Sequence, residues 1–374
     1  MAAIAPAAQI DQRHRPAGGA RTWRPFLALF LLFAGFYLLT ASGHFYAVDE
    51  ETLYLMTESL VERHTIAPPP GAWGVIGNGH YAQYTPGQAL AAVPLYLVGR
   101  TIAPAFPHGA QGYVTRFFVS LLNAFVTAAT VTLLYWLARR LGYRGGAALG
   151  LAAIYGLATL AWPHGRTFFA EPLTAFLLLL SFACTWRGAE PVTLAPSWLA
   201  GAGAALVTAL VVKPQAAIAV PILALYVLGR LTWPERAAWR TASGRVLRGG
   251  LVWGVGMALV AVPFAIFNTR IYGGPLKTGY GGSITDLLGG DFFTGFTGLT
   301  ISSGKGLLWY APPIVLAIAG WWAFARRRLA EALVCLGMLA VHLAFYSRLI
   351  FWHGDGSWGP RYLTIALPFA LLPA

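Results

Sequence analysis

The sequence predicts an all-α polytopic membrane protein, a bundle of about ten transmembrane helices, from composition, spacing and charge placement. Of the 374 residues, 57% are hydrophobic and 10% charged, and mean hydropathy is +0.61. A soluble domain carries about 25% charged residues. Apolar runs of spanning length recur along the whole chain, so residues 1–374 read as a single transmembrane domain. The net charge of +13 comes from basic residues that punctuate these runs instead of forming one stripe, which sets nucleic acid aside as a partner. Cys184 and Cys335 both lie inside apolar runs, against a disulfide framework or a metal knuckle.

Residues 1–24 form a short, Arg-bearing cytoplasmic tail. Pro25–Ser42 is the first span. It reads as an uncleaved anchor, because Thr40-Ala41-Ser42 makes a mediocre cleavage site. The long loop 44–112 follows, extracytoplasmic by this reading. Its segment 49–64 is helical by pattern: Asp49, Leu53, Met56 and Leu60 share one face, Glu51, Glu58 and Glu62 lie opposite, and Glu50 sits at the flank. Such a helix is expected flat in the membrane interface, with the three outer glutamates solvated. WGVIGNGHYAQY reads as a small hairpin about Gly77-Asn78-Gly79. Thr85–Arg100, broken by Pro86 and Pro94, reads as a second interfacial helix.

Further spans are expected over 113–138, 145–163, 172–187, 198–213, 215–231, 250–268, 306–325 and 329–347, with the pair around Lys213-Pro214 short enough to be re-entrant. A tenth begins at Arg361, and its end inside an apolar run suggests a missing C-terminal portion. In this topology 16 of the 26 basic residues but four of the 13 acids face the cytoplasm, as the positive-inside rule requires. The other nine acids, all three lysines and six of the eight histidines fall on the outer face, where topology does not explain them.

Outer loops therefore supply the candidate chemistry: Asp49 and Glu50 from the first, His164, Arg166 and Glu171 from WPHGRTFFAEP. The third gives Arg270, Lys277, Tyr280, Asp286, Asp291 and Lys305, the fourth Arg348, His353, Asp355 and Arg361, and Lys213 tops the short helix pair. Acids beside bases at a membrane boundary suit sugar transfer from a lipid-linked phosphate. A carboxylate takes the acceptor hydroxyl proton, and Arg or Lys stabilises the leaving phosphate. Asp49 is the expected base. Arg166, Lys213, Arg270, Lys277, Lys305 and Arg361 are the phosphate candidates, and Tyr84, His164, Tyr280, His353 and Asp355 the acceptor-side candidates. The expected partners are a polyprenyl-phosphate sugar, a lipid, protein or glycan acceptor, and membrane lipids. No metal-ligand spacing is present, no cofactor is implied by motif, and a divalent cation is left open. SSGKG at 302–306 fails as a phosphate loop because Lys305 is followed by Gly306.

Several segments together resemble the GT-C membrane glycosyltransferases, nearest the protein O-mannosyltransferases and the lipid A aminoarabinose transferase. VDEETLYLMTESL matches that family's first-loop acidic motif, YTPGQALAAVPLYLVG occupies the place of its KPPLYYWL-like segment, and FFAEPLTAFLLLL resembles its second-loop acid. SWGPRYLTIALPF resembles a segment common in bacterial members. The resemblance implies Asp49 as catalytic base, joined by Glu50, and Glu171 as a second acid that orients acceptor or donor. Thr85 replaces the family's Lys, so phosphate binding must come from elsewhere. Plainer readings stand beside these: Asp49 and Glu171 as acids favoured at helix N-termini, Lys213 and Arg361 as snorkelling side chains, Arg166 in a loop salt bridge. The alternatives at the level of function are a lipid transporter or flippase and an inactive scaffold of the same fold.

Overall fold

The structure, a computed structural model, describes residues 23–69, 81–190, 193–232, 239–279 and 287–374, with 239–242 as backbone only. The hairpin expected about Gly77-Asn78-Gly79 and the candidates Tyr280 and Asp286 lie outside the described residues.

The helices begin with α1 (Arg24–Leu39), α2 (Val48–Glu62), α3 (Gly87–Ile102), α4 (Gln111–Ser120), α5 (Leu122–Leu141) and α6 (Gly145–Leu157). They continue through α7 (Ala161–Gly165), α8 (Glu171–Gly188), α9 (Pro196–Val212), α10 (Val220–Thr232) and α11 (Trp239–Tyr272). The last are α12 (Phe292–Thr300), α13 (Leu307–Tyr310), α14 (Ile314–Arg327), α15 (Leu329–Ser347) and α16 (Leu367–Leu371). The described residues hold no strand, so the expected all-α bundle is present. Among the described residues, four segments are long and apolar enough to cross a membrane: His108–Leu141, Pro214–Thr232, Ser243–Tyr272 and Leu329–Ser347. Three shorter apolar helices, α1, α6 and α9, accompany them, and the chain is an integral membrane protein.

Several boundaries differ from the expected spans, most of them at prolines. The 145–163 segment stops at Leu157, and a separate turn, Ala161–Gly165, carries Pro163 and His164. The 306–325 segment breaks at Pro312-Pro313 into α13 and α14. The segment from Arg361 opens as a 3-10 turn, Arg361–Ile365, before α16. Pro214 bars helical geometry at the preceding Lys213 (φ −148°, ψ 108°), so α9 ends there and a 3-10 turn leads into α10.

One core joins α1, α5, α6, α8, α9 and α10 with the C-terminal helices, through residues such as Tyr37, Leu134, Leu178, Phe182 and Phe369. A second core lies under α2 and α3, around Tyr54, Met56, Tyr96 and Phe168. The apolar stripe of α2 faces protein, and most of its other positions are covered too: Thr52, Leu53, Tyr54, Leu55, Met56, Thr57 and Ser59 are all buried. Its outer glutamates are not simply solvated either. Glu51 takes a forked ion pair from Arg116 at 2.7 Å, Glu58 accepts from the Tyr54 hydroxyl, and Glu62 accepts from Tyr96 and pairs with Arg100. Through Arg116, Tyr96 and Arg100 these contacts brace α2 against α4 and α3.

Candidate active site

Four distant segments bring their charged residues to one line. Asp49 stands in the first turn of α2, where Ala47 is extended and the helix dipole favours an acid. Glu171 opens α8, next to Pro172. Lys213 is turned out of α9 by Pro214. Arg361 follows Gly359, whose φ of +59° an ordinary residue would resist and whose missing Cβ leaves room for Tyr310 and Leu160. The Arg361 guanidinium donates to Asp49 Oδ2 at 3.1 Å and approaches Glu171 Oε1 at 3.6 Å, while Lys213 Nζ donates to the same Glu171 oxygen at 3.0 Å. Glu171 and Arg361 are buried and Lys213 nearly so, whereas the Asp49 side chain keeps 26% of its surface. Two aromatic rings complete the cation walls: the Arg361 guanidinium carbon lies 4.3 Å from the Phe169 centroid, and Lys213 Nζ 5.3 Å from that of Tyr362.

The Asp49 end of this line opens on a cavity of about 930 Å³, walled by Tyr46, Trp162, His164, Arg166, Ser357 and Arg361 among others. A small pocket of about 20 Å³ lies on the other side, where Asp49 meets Tyr84, Glu171 and Lys213. Asp49 thus borders both spaces. Arg166 faces the large one, and its buried Nε has no hydrogen-bond partner among the described residues. Lys305 binds the backbone carbonyls of Asp355 and Ser357 and so pins the 354–359 loop that forms one wall. Burial, then the nearby Arg361 charge, lowers its pKa from the ordinary lysine value.

Not every expected residue joins this group. Arg270, in the last turn of α11, and Lys277, just after it, are exposed and wall neither space. His353 Nδ1 accepts from the Asp355 amide, a bond that shapes the loop, and exposed Asp355 lines the cavity. Tyr84 lines the small pocket. The snorkelling alternative for Lys213 and Arg361 gives way to buried ion pairs.

Glu50 is placed differently from its neighbour. Its Oε2 accepts from the Tyr46 and Ala47 amides at 2.6 and 3.0 Å and its Oε1 from the Phe168 amide, so both oxygens hold backbone. Burial pushes its pKa above the ordinary glutamate value, opposed by those three N–H groups. Asn123 donates to the Thr167 and Phe169 carbonyls at 2.7 Å, and Gln88 to Phe168 and Phe169. Together these three side chains fix the 167–169 backbone that sets Phe169 and leads to Glu171. The signal for Asn123 was legible: an amide inside the apolar run LLNAFV needs a buried partner. Tyr362, which touches both cations, had no such signal.

The fold is that of the GT-C membrane glycosyltransferases. ArnT from Cupriavidus metallidurans, solved bound to undecaprenyl phosphate, superposes with a TM-score of 0.58 at 18% identity, covering 95% of this chain and 60% of that one. The Archaeoglobus fulgidus oligosaccharyltransferase superposes at 0.57 with 11% identity, over 94% of this chain and 50% of its own. In sequence, the dolichyl-phosphate-mannose-protein mannosyltransferase profile matches residues 86–272, half of the chain, and the chain belongs to that family. The undecaprenyl phosphate-alpha-4-amino-4-deoxy-L-arabinose arabinosyl transferase 2 of Sodalis glossinidius is 26% identical over 226 residues, 58% of this chain and 37% of that protein. The chain thus spans less than two thirds of the length of these relatives. Glu171 and Lys213 fall inside the family match, whereas Asp49 and Arg361 fall outside it.

Proposed function

We propose that the protein transfers a sugar from a polyprenyl-phosphate-linked donor to an acceptor hydroxyl, at the extracytoplasmic membrane face, with Asp49 as general base. The observation that carries the reading is the position of Asp49, partly exposed on a 930 Å³ cavity and held by a buried arginine. Its ion pair aims the carboxylate, while its open side admits a hydroxyl. As the base takes that proton, the acceptor oxygen bonds to the sugar carbon, the bond from that carbon to the phosphate oxygen breaks, and the lipid phosphate leaves with the negative charge. Arg166, which lines the cavity, and Arg361 are suited to receive that charge. Glu171 is already compensated by Lys213 and Arg361, and fits a positioning role that fixes both cations. Glu50 likewise fits positioning, because its oxygens are engaged.

The Arg-rich connectors face the cytoplasm in this reading, with the 44–112 loop outside. The test is transfer of labelled sugar from a synthetic polyprenyl-phosphate donor by purified protein. Asp49→Asn should lower turnover by about 10²–10⁴-fold at unchanged melting midpoint. Normal turnover by that variant would remove Asp49 as the base.

A further inference from the structure

On the arginine-rich face, far in sequence from the site above, α10 and the start of α15 part to leave a groove of about 680 Å³. Its floor closes where Ile222 meets Gly337, at a spacing that only a glycine allows with comfort. Its rim carries Arg230 and the consecutive Arg326, Arg327 and Arg328, against a single acid, Glu331. Glu331 is buried and satisfied by the Tyr226 hydroxyl at 3.0 Å and by Arg230 at 3.7 Å. Arg328 is steadied by the Leu141 carbonyl, whereas Arg326 and Arg327 are exposed. The walls below the rim are apolar, and Leu225, Leu329 and Leu333 remain 65%, 56% and 58% exposed along it.

We propose that this groove is a binding site for an anionic phospholipid of the surrounding bilayer, its phosphate headgroup among the arginines and an acyl chain along the leucines. The positive-inside rule explains arginines on this face, but not an apolar channel running down from them. Excess positive charge at the rim and open apolar walls beneath it match the two halves of one lipid molecule. Gly229 lines the groove, and a Cβ there would meet nothing within 4 Å, so the space can be filled without altering charge or packing.

The experiment is native mass spectrometry of the delipidated protein, titrated with phosphatidylglycerol or phosphatidylcholine of equal chain length. Phosphatidylglycerol should bind more tightly, and Arg326→Gln/Arg327→Gln should reduce that preference by roughly five-fold per arginine. Gly229→Leu should abolish tight binding while leaving every charge in place. Equal affinity for the two lipids would overturn the proposal. So would an undiminished preference in Gly229→Leu, which would mean a diffuse surface field instead of a site. Neither variant touches the proposed transfer site, so sugar transfer serves as the folding control.

Discussion

Asp49 and Glu50 are adjacent, yet backbone direction sends one to the cavity and the other into the protein. The buried carboxylate ties α2 to the 167–169 segment, and the half-buried one borders the cavity. Lys213, Glu171 and Arg361 form a buried network in which neighbouring charges compensate one another. Lys213→Met is expected to destabilise by about 3–5 kcal/mol, and Glu171→Gln/Lys213→Met by clearly less, read as thermal unfolding in detergent. Additive losses would mean the pair is not coupled. His164 offers a test by pH. Its Nε2 meets the Trp358 carbonyl at 3.0 Å and its Nδ1 has no hydrogen-bond partner among the described residues, as a neutral ring requires. Burial pushes its pKa down to about 4, against about 6.5 in an unfolded chain. Between those values the unfolded chain holds a proton that the folded one refuses, so stability falls as pH drops from about 6.5 to 4, by on the order of 3 kcal/mol. His164→Gln should flatten that fall; an unchanged slope assigns it to other groups.

Helix ends, more than helix bodies, build the site. Asp49 and Glu171 open helices, Lys213 closes one, and Arg361 begins a 3-10 turn. The position of Lys213 depends on how α9 meets α3. The Thr85 hydroxyl donates to the Val212 carbonyl at 3.1 Å, and a Cβ on Gly87 would fall 2.6 Å from the Val211 backbone. Thr85 therefore stands where the family's lysine was expected and braces the turn that presents Lys213 instead. Gly87→Val should cost about 1–3 kcal/mol and lower transfer beyond its effect on stability, checked by turnover per folded molecule. Transfer that merely tracks the folded fraction would show that this contact does not set the lysine.

At the scale of the molecule, charge asymmetry predicts orientation. His64 and Arg144 are both exposed, and Cys184 and Cys335 are buried, so the native thiols give little background. A membrane-impermeant maleimide applied to intact cells should label His64→Cys and spare Arg144→Cys. The reverse pattern would place the candidate site on the cytoplasmic face and remove a lipid-linked donor from the outer leaflet.

Composition and proline spacing alone determined the helical membrane bundle and most of its boundaries, because lipid demands internally satisfied backbone and proline ends helices locally. The acids of the loop at 44–112 and of WPHGRTFFAEP were legible as candidates because charge beside apolar spans is costly without a use. Asp49 was singled out among them, and it borders the cavity where Glu50 does not. Periodicity put Glu51, Glu58 and Glu62 on a solvated face, but Arg116, Tyr96 and Arg100 arrive from other helices to meet Glu51 and Glu62, and Tyr54 of the same helix donates to Glu58. Tertiary structure alone decided that Arg361, 312 residues from Asp49, bonds to it, and that Lys213 faces Glu171 instead of water. Local pattern fixes what a segment can bury; only packing of distant segments fixes which charges meet, since their pairing energy depends on the burial that packing creates.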